Sequence, residues 1–280
     1  MGWQHIIDGV IAAAEENAKQ NAREDDYIGD DGLIYCGKCG MPKQKRQEFL
    51  GVTAVVPIIC VCRDEVLASM EQNKRREQIA MLKSEGFNDR ALEKSRFDLD
   101  SAPDSKESLV CRDYVEHFDD FYERGKGLVF TGSVGTGKTF YASCIANALM
   151  ENLHPVLVTS IGRYIRYMEG DYGNRNENID YLQKFDLVIF DDLGVERNTP
   201  YINELVYAVI DGRVRSGKPM IVTTNVTMDE LKKTDGIQVE SARIYDRILA
   251  NCIPVQFNGT NRRREQAREE YLEFKKILGI

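Results

Sequence analysis

Gly132-Ser133-Val134-Gly135-Thr136-Gly137-Lys138-Thr139 follows the apolar run Leu128-Val129-Phe130-Thr131 and leads into residues 140–150, which contain no helix breaker. The pattern G-x-x-x-x-G-K-T between a strand and a helix is that of a phosphate-binding loop. Its glycines let successive backbone N–H groups curl around phosphate oxygens, and the helix that follows offers the positive end of its dipole. Lys138 is expected to reach the β- and γ-phosphates, and Thr139 to ligate Mg²⁺. A glycine-rich turn that matches by chance is the alternative; the flanking strand and helix weigh against it.

Downstream, Leu187-Val188-Ile189-Phe190 reads as an apolar strand that delivers Asp191 and Asp192 at its C-terminal edge, where α/β proteins bind ligands. Asp191 is expected to hold Mg²⁺ through water and Asp192 to act as general base toward the attacking water. A third strand, Met220-Ile221-Val222-Thr223, ends in Thr224-Asn225. The Asn225 amide could orient the same water, although Thr-Asn also simply begins a turn.

Around these motifs, apolar runs alternate with amphipathic stretches: 128–131 then 138–151, 155–159 then 161–169, 187–190 then 200–215, and finally 220–223. Such alternation predicts an α/β domain with a parallel sheet flanked by helices. Between Ser84 and Glu107 the apolar residues thin out and Gly86, Pro103 and several Ser and Asp appear, the composition of a linker. The expected organisation is an N-terminal module over 1–85, a linker over 86–107 and an ATP-binding domain over 108–280. Residues 3–14, with Ile6, Ile7, Val10 and Ile11 interrupted by His5 and Asp8, suggest an amphipathic helix and not a signal peptide. A second helix is expected from Arg63 to about Lys83.

The chain has 42% hydrophobic and 29% charged residues, and no stretch approaches the roughly 18 apolar residues of a membrane span. A net charge of -8 would repel duplex DNA as a whole, so nucleic acid could bind only at a locally basic surface. Seven cysteines, an odd count without a secretory signal, argue against a disulfide framework and for a reducing compartment, the cytoplasm. Cys36-Gly37-Lys38-Cys39 and Cys60-Val61-Cys62 form a C-x₂-C and a C-x-C pair compatible with one tetrahedral zinc site. Reduced structural cysteines are the other reading. Lys38, Lys43, Lys45 and Arg46 make this module locally basic, so nucleic-acid contact stands beside protein docking. Cys111, Cys144 and Cys252 read as buried apolar fillers.

The order of these motifs, with Asp191-Asp192-Leu193-Gly194 and Thr223-Thr224-Asn225, resembles the AAA+ family of DnaC- and DnaI-type helicase loaders and IstB transposition helpers over roughly residues 85 to 265. The resemblance implies an AAA+ P-loop ATPase with a reduced lid, since few residues separate Asn225 from Arg262. It also implies slow hydrolysis used as a timer, because Asp192 stands where many related ATPases place Glu. Arg243-Ile244-Tyr245-Asp246-Arg247 resembles that family's R-x-x-D-R box, making Arg243 the candidate arginine finger for a neighbouring subunit and so for self-association. Arg262, in the closing Asn261-Arg262-Arg263, is the candidate arginine that senses nucleotide in its own subunit. The partners implied are a hexameric replicative helicase, docked by the zinc module, and single-stranded DNA. Residues 160–167, with Arg163, Tyr164, Arg166 and Tyr167, lie in the region implied to face that strand, with an ordinary amphipathic helix as the plain alternative. The competing readings are an IstB-like transposition helper on duplex DNA and an adaptor whose P-loop only stabilises the fold.

Overall fold

The computed structural model describes residues 24–49, 52–194, 199–232, 239–259 and 261–279. The helix expected over 3–14 lies outside them. The chain forms two compact units that divide between Glu77 and Gln78.

In the first unit, β1 (Tyr27–Ile28) pairs antiparallel with β2 (Ile34–Tyr35), and β3 (Gln44–Phe49) pairs antiparallel with β4 (Val52–Pro57). The β-branched residues Thr53, Val55 and Val56 of β4 suit a pleated surface. Gln44 joins the two hairpins, its buried Oε1 accepting from the Ile34 N–H at 3.0 Å. Between them, residues 36–41 turn tightly: the Gly40 N–H donates to the Cys36 carbonyl at 2.8 Å and the Cys36 N–H to the Met41 carbonyl at 2.9 Å. Gly37 must be glycine here, because a Cβ would lie 1.7 Å from the Asp25 carbonyl oxygen. Helix α1 (Val61–Gly86) begins in this unit and ends in the second.

The second unit is built on a five-stranded sheet: β5 (Gly127–Gly132), β6 (Val156–Ser160), β7 (Leu187–Leu193), β8 (Met220–Thr224) and β9 (Cys252–Phe257), in the order β6-β7-β8-β5-β9. Every adjacent pair is parallel. Alternation along each strand sends side chains to opposite faces. Val129, Leu157, Val188, Phe190 and Val222 pack on one face with α5 (Ile161–Gly170), α7 (Pro200–Arg215) and α9 (Val239–Asn251). Leu128, Phe130, Val158, Ile189 and Ile221 pack on the other with α2 (Lys106–Glu116), α3 (Phe118–Glu123) and α4 (Lys138–Glu151). The short helices α6 (Arg175–Tyr181) and α8 (Met228–Lys232) lie in connections, and α10 (Arg262–Leu278) follows β9.

The linker reading of 86–107 is corrected by the packing. Phe87 is buried and bridges Val158 of β6, while Leu92 and Phe97 pack against the core beneath α4. Asn147 donates to the Leu92 and Ser95 carbonyls at 3.3 and 2.8 Å. Arg112 donates to the Phe97 carbonyl at 2.8 Å and stacks on the Phe97 ring. The segment looks like a linker because only Phe87, Leu92 and Phe97 of its few apolar residues anchor it, while the Leu92, Ser95 and Phe97 carbonyls are satisfied by the side chains of Asn147 and Arg112. The second unit therefore starts near Gln78 and not at 108.

Candidate nucleotide site

The sheet order decides which side chains meet. Strand β8 separates β5, which ends in the P-loop, from β7, which ends in the carboxylate pair. The end of β8 therefore sits between the two motifs. Gly132, Gly135 and Gly137 adopt φ of +134°, +84° and +99°, a region costly for other residues, so that the loop wraps tightly before α4 begins at Lys138. Thr136 Oγ1 donates to the Ser133 carbonyl at 2.9 Å and braces the loop from within.

Lys138 is buried, and its ammonium donates to the carbonyls of Gly132 and Ser133, both at 2.7 Å, and to Asn225 Oδ1 at 2.9 Å. Because an ammonium only donates, the oxygen of the Asn225 amide must be the atom that faces it. The expected lysine and amide are thus brought together across β5 and β8. Thr139 Oγ1 donates to Asp191, lying 3.0 and 3.2 Å from its two carboxylate oxygens. Thr223 Oγ1 donates to Asp191 Oδ1 at 2.6 Å and accepts from the Asp192 N–H at 3.0 Å. A hydroxyl and a carboxylate converging at the loop's edge form a hard oxygen donor set that fits Mg²⁺ with retained waters. Asp192 takes a left-handed backbone, φ +57°, and its exposed side chain lines a cavity of about 450 Å³ with Val134, Gly135, Lys138, Thr139, Asn225 and Arg262.

Arg262 reaches this cavity from the start of α10. Its N–H donates to the Gly135 carbonyl at 3.0 Å, and its guanidinium lies 3.5 Å from the Tyr141 hydroxyl and 3.6 Å from Asp100 Oδ1. Burial raises the Asp100 pKa, but the Ala102 N–H, the Ser108 and Tyr141 hydroxyls and the Arg262 charge outweigh it and hold the carboxyl below its ordinary value. Arg243 does not line the cavity; it is exposed on α9. Sequence reasoning missed the roles of Thr223, Tyr141 and Asp100. A hydroxyl closing an apolar strand one residue before Thr224-Asn225 could have signalled Thr223; nothing local marks Asp100.

Thr223 supports a direct expectation. Thr223→Val keeps the shape of β8 but strips Asp191 and the Asp192 N–H of their shared hydroxyl, so Mg²⁺-dependent ATP hydrolysis should fall by about tenfold or more. Steady-state phosphate release checks this, with nucleotide binding in EDTA expected to stay near wild type.

In the first unit, the sulfurs of Cys36, Cys39 and Cys62 lie within 4.8 Å of one another, and Cys60 is buried beside Cys36 and Cys62. The Met41 N–H, with help from the neighbouring thiols, lowers Cys39 to about 7, whereas hydrogen bonding to Cys39 raises Cys62 to about 11. One easily ionised thiol among close sulfurs fits a thiolate-binding metal such as zinc. In the second unit Cys111, Cys144 and Cys252 are buried as expected, and burial pushes the latter two thiols up to about 12. On α5, Tyr164 is buried with its hydroxyl donating to the Asn178 carbonyl, so only Arg163, Arg166 and Tyr167 of the expected nucleic-acid set are exposed.

A phosphate loop, a carboxylate pair and a polar strand end between them, on a five-stranded parallel sheet with helices on both faces, define an AAA+ P-loop ATPase fold. More narrowly, the chain belongs to the IstB-like ATP binding protein family, whose model matches residues 61–270. It is similar to the replicative helicase loader DnaI of Bacillus subtilis (strain 168), 27% identical over 164 residues, or 53% of each chain. It is also similar to the replicative helicase loader DnaC of Escherichia coli (strain K12), 29% identical over 166 residues covering 58% of this chain and 64% of that one. The chain thus spans between half and two thirds of these relatives' lengths. A crystal structure of DnaI matches with a TM-score of 0.53 and 26% identity over 65% of this chain and 98% of that one. The crystal structure of the DnaC helicase loader matches in fold at a TM-score of 0.50, 21% identical over 61% of this chain and 100% of that one. Among the described residues, no helix is long and apolar enough to cross a membrane.

Proposed function

We propose that this protein is an ATP-controlled loader of a hexameric replicative helicase, acting in the initiation of DNA replication. The observation that carries this reading is the convergence of Lys138, Thr139, Asp192, Asn225 and Arg262 on one cavity, with Asp191 hydrogen-bonded to Thr139, in a chain similar to two helicase loaders. Residues 132–139 would hold ATP, and Thr139 and Asp191 would hold Mg²⁺. The metal supplies charge neutralisation at the phosphates. Asp192 accepts a proton from the attacking water as that oxygen bonds the γ-phosphorus and the bond to the β-phosphate oxygen breaks. Asn225 orients the water, and Arg243 enters the site of a neighbouring copy. The shorter Asp at 192 makes hydrolysis slow and regulatory.

Cys36, Cys39, Cys60 and Cys62 hold zinc in a module that docks the helicase, while the ATPase core meets single-stranded DNA. The family model begins at residue 61, so most of this module lies outside what IstB-like proteins share, which favours loading over transposition. The test is to mix the protein with the replicative helicase of its source, with ATP or ADP, and measure the mass of the complex. A stoichiometric complex that is lost in a Cys36→Ser/Cys39→Ser variant supports the loader, with Lys138→Ala losing only the nucleotide response. No complex with a folded hexameric helicase, together with ATP-dependent assembly on duplex DNA, would establish the transposition helper instead.

A further inference from the structure

Asp100 is a costly residue where it stands. Its side chain is fully buried, and its Oδ1 accepts from the Ala102 N–H at 3.0 Å and from the Tyr141 hydroxyl at 2.9 Å. An asparagine oxygen could accept both bonds without the penalty of burying a charge. What the charge adds is Arg262, whose Nη1 lies 3.6 Å from the same oxygen. Tyr141 joins the pair: Arg262 Nη2 approaches its hydroxyl at 3.5 Å and the guanidinium sits 5.5 Å from its ring centroid. Both of these contacts of the Arg262 guanidinium are longer than the roughly 2.7–2.9 Å of a charge-assisted hydrogen bond, so it is oriented but not saturated. Leu99 and Ser101, the neighbours of Asp100, line the same cavity as Arg262 and Lys138.

We propose that Asp100, working through Tyr141, is a positioning residue that restrains Arg262 and thereby sets the preference of the site for ATP over ADP. This rests on the reading of Arg262 as the arginine that senses nucleotide in its own subunit, which it would do by meeting the γ-phosphate. Engaging that phosphate draws Arg262 away from Asp100; ADP has no γ-phosphate and leaves the contact intact. Only an interaction that differs between two bound states changes their relative affinity, and the Asp100 contact differs in this way. The segment over 92–105 thus senses which nucleotide is bound through a single carboxylate.

The experiment measures equilibrium binding of a non-hydrolysable fluorescent ATP analogue and of the matching ADP analogue to the full chain with Mg²⁺. Asp100→Asn should tighten the ATP analogue by about 3- to 10-fold with ADP affinity unchanged. Tyr141→Phe, which keeps the buried ring, should shift the ratio less in the same direction and serves if Asp100→Asn does not fold. In an Arg262→Gln background, Asp100→Asn should no longer change the ratio. A change equal for both nucleotides, a weaker ATP preference, or an effect that survives in Arg262→Gln overturns the proposal. If Arg262→Gln alone leaves the ratio as in wild type, the reading of Arg262 fails and the restraint fails with it; this says nothing against helicase loading, which the complex-mass measurement tests.

Discussion

Lys138→Ala is expected to weaken ATP binding by at least about 100-fold while leaving the fold intact, as read by titration with a fluorescent ATP analogue and by the melting temperature. The ammonium is buried among the carbonyls of Gly132 and Ser133 and the Asn225 oxygen, at the centre of the loop where phosphate oxygens would stand. Among the described residues, the one other cation that lines the cavity is Arg262, whose guanidinium lies by Tyr141 and Asp100 and not among the loop carbonyls that hold the ammonium. The loss therefore has no local substitute. Because Lys138 also ties the loop to the end of β8, the little nucleotide still bound should turn over more slowly as well. Near-normal affinity would mean that the phosphates lie elsewhere.

The second large effect lies at the other end of the sheet. Arg213 is 1% exposed and donates to four carbonyls: Leu182 at 2.9 Å, Phe185 at 3.0 Å, Asp186 at 2.7 Å, and Pro219 at 3.1 and 2.8 Å. Burial lowers its pKa to about 10, yet it stays charged at neutral pH. Arg213→Leu fills the space but orphans these acceptors, and should cost about 3–5 kcal/mol. For a unit of this size, that is a fall in melting temperature of roughly 10–15 °C in a thermal scan. ATP affinity below the transition should hardly change, because the clamp fixes where β7 and β8 begin, far from where Asp191 and Thr223 end. A melting temperature within a degree or two of wild type would show that the carbonyls find water instead.

The nucleotide site was legible because phosphate chemistry imposes residue type and spacing together: glycines where φ is positive, lysine at the helix start, acids at a strand end. Arg243 and Arg262 are different. Nothing in their neighbourhood separates them from surface charge, and only the resemblance singled them out. Strand β9 escaped notice because Pro254 interrupts it and its inward residues, Cys252, Val255 and Phe257, do not alternate regularly. The hairpin of β3 and β4 was hidden by Lys45, Arg46 and Glu48, which make β3 read as a polar loop. Composition misled outright at 86–107, where packing by distant Asn147 and Arg112 overrides a linker-like sequence. Asp100 had no signal at all: its meaning comes from a tyrosine 41 and an arginine 162 positions away.

The two margins of the parallel sheet are both spoiled for backbone pairing. At one, β9 carries Pro254, which has no N–H to offer; at the other, Phe87 already bridges Val158 of β6. Copies of this protein are thus discouraged from joining by continuing one another's ladder, the tenacious mode that underlies fibrils. On the proposed reading, contacts between copies fall instead to exposed side chains such as Arg243, and joints made of single charges would come apart when one phosphate leaves, where a zipped backbone would have to be peeled.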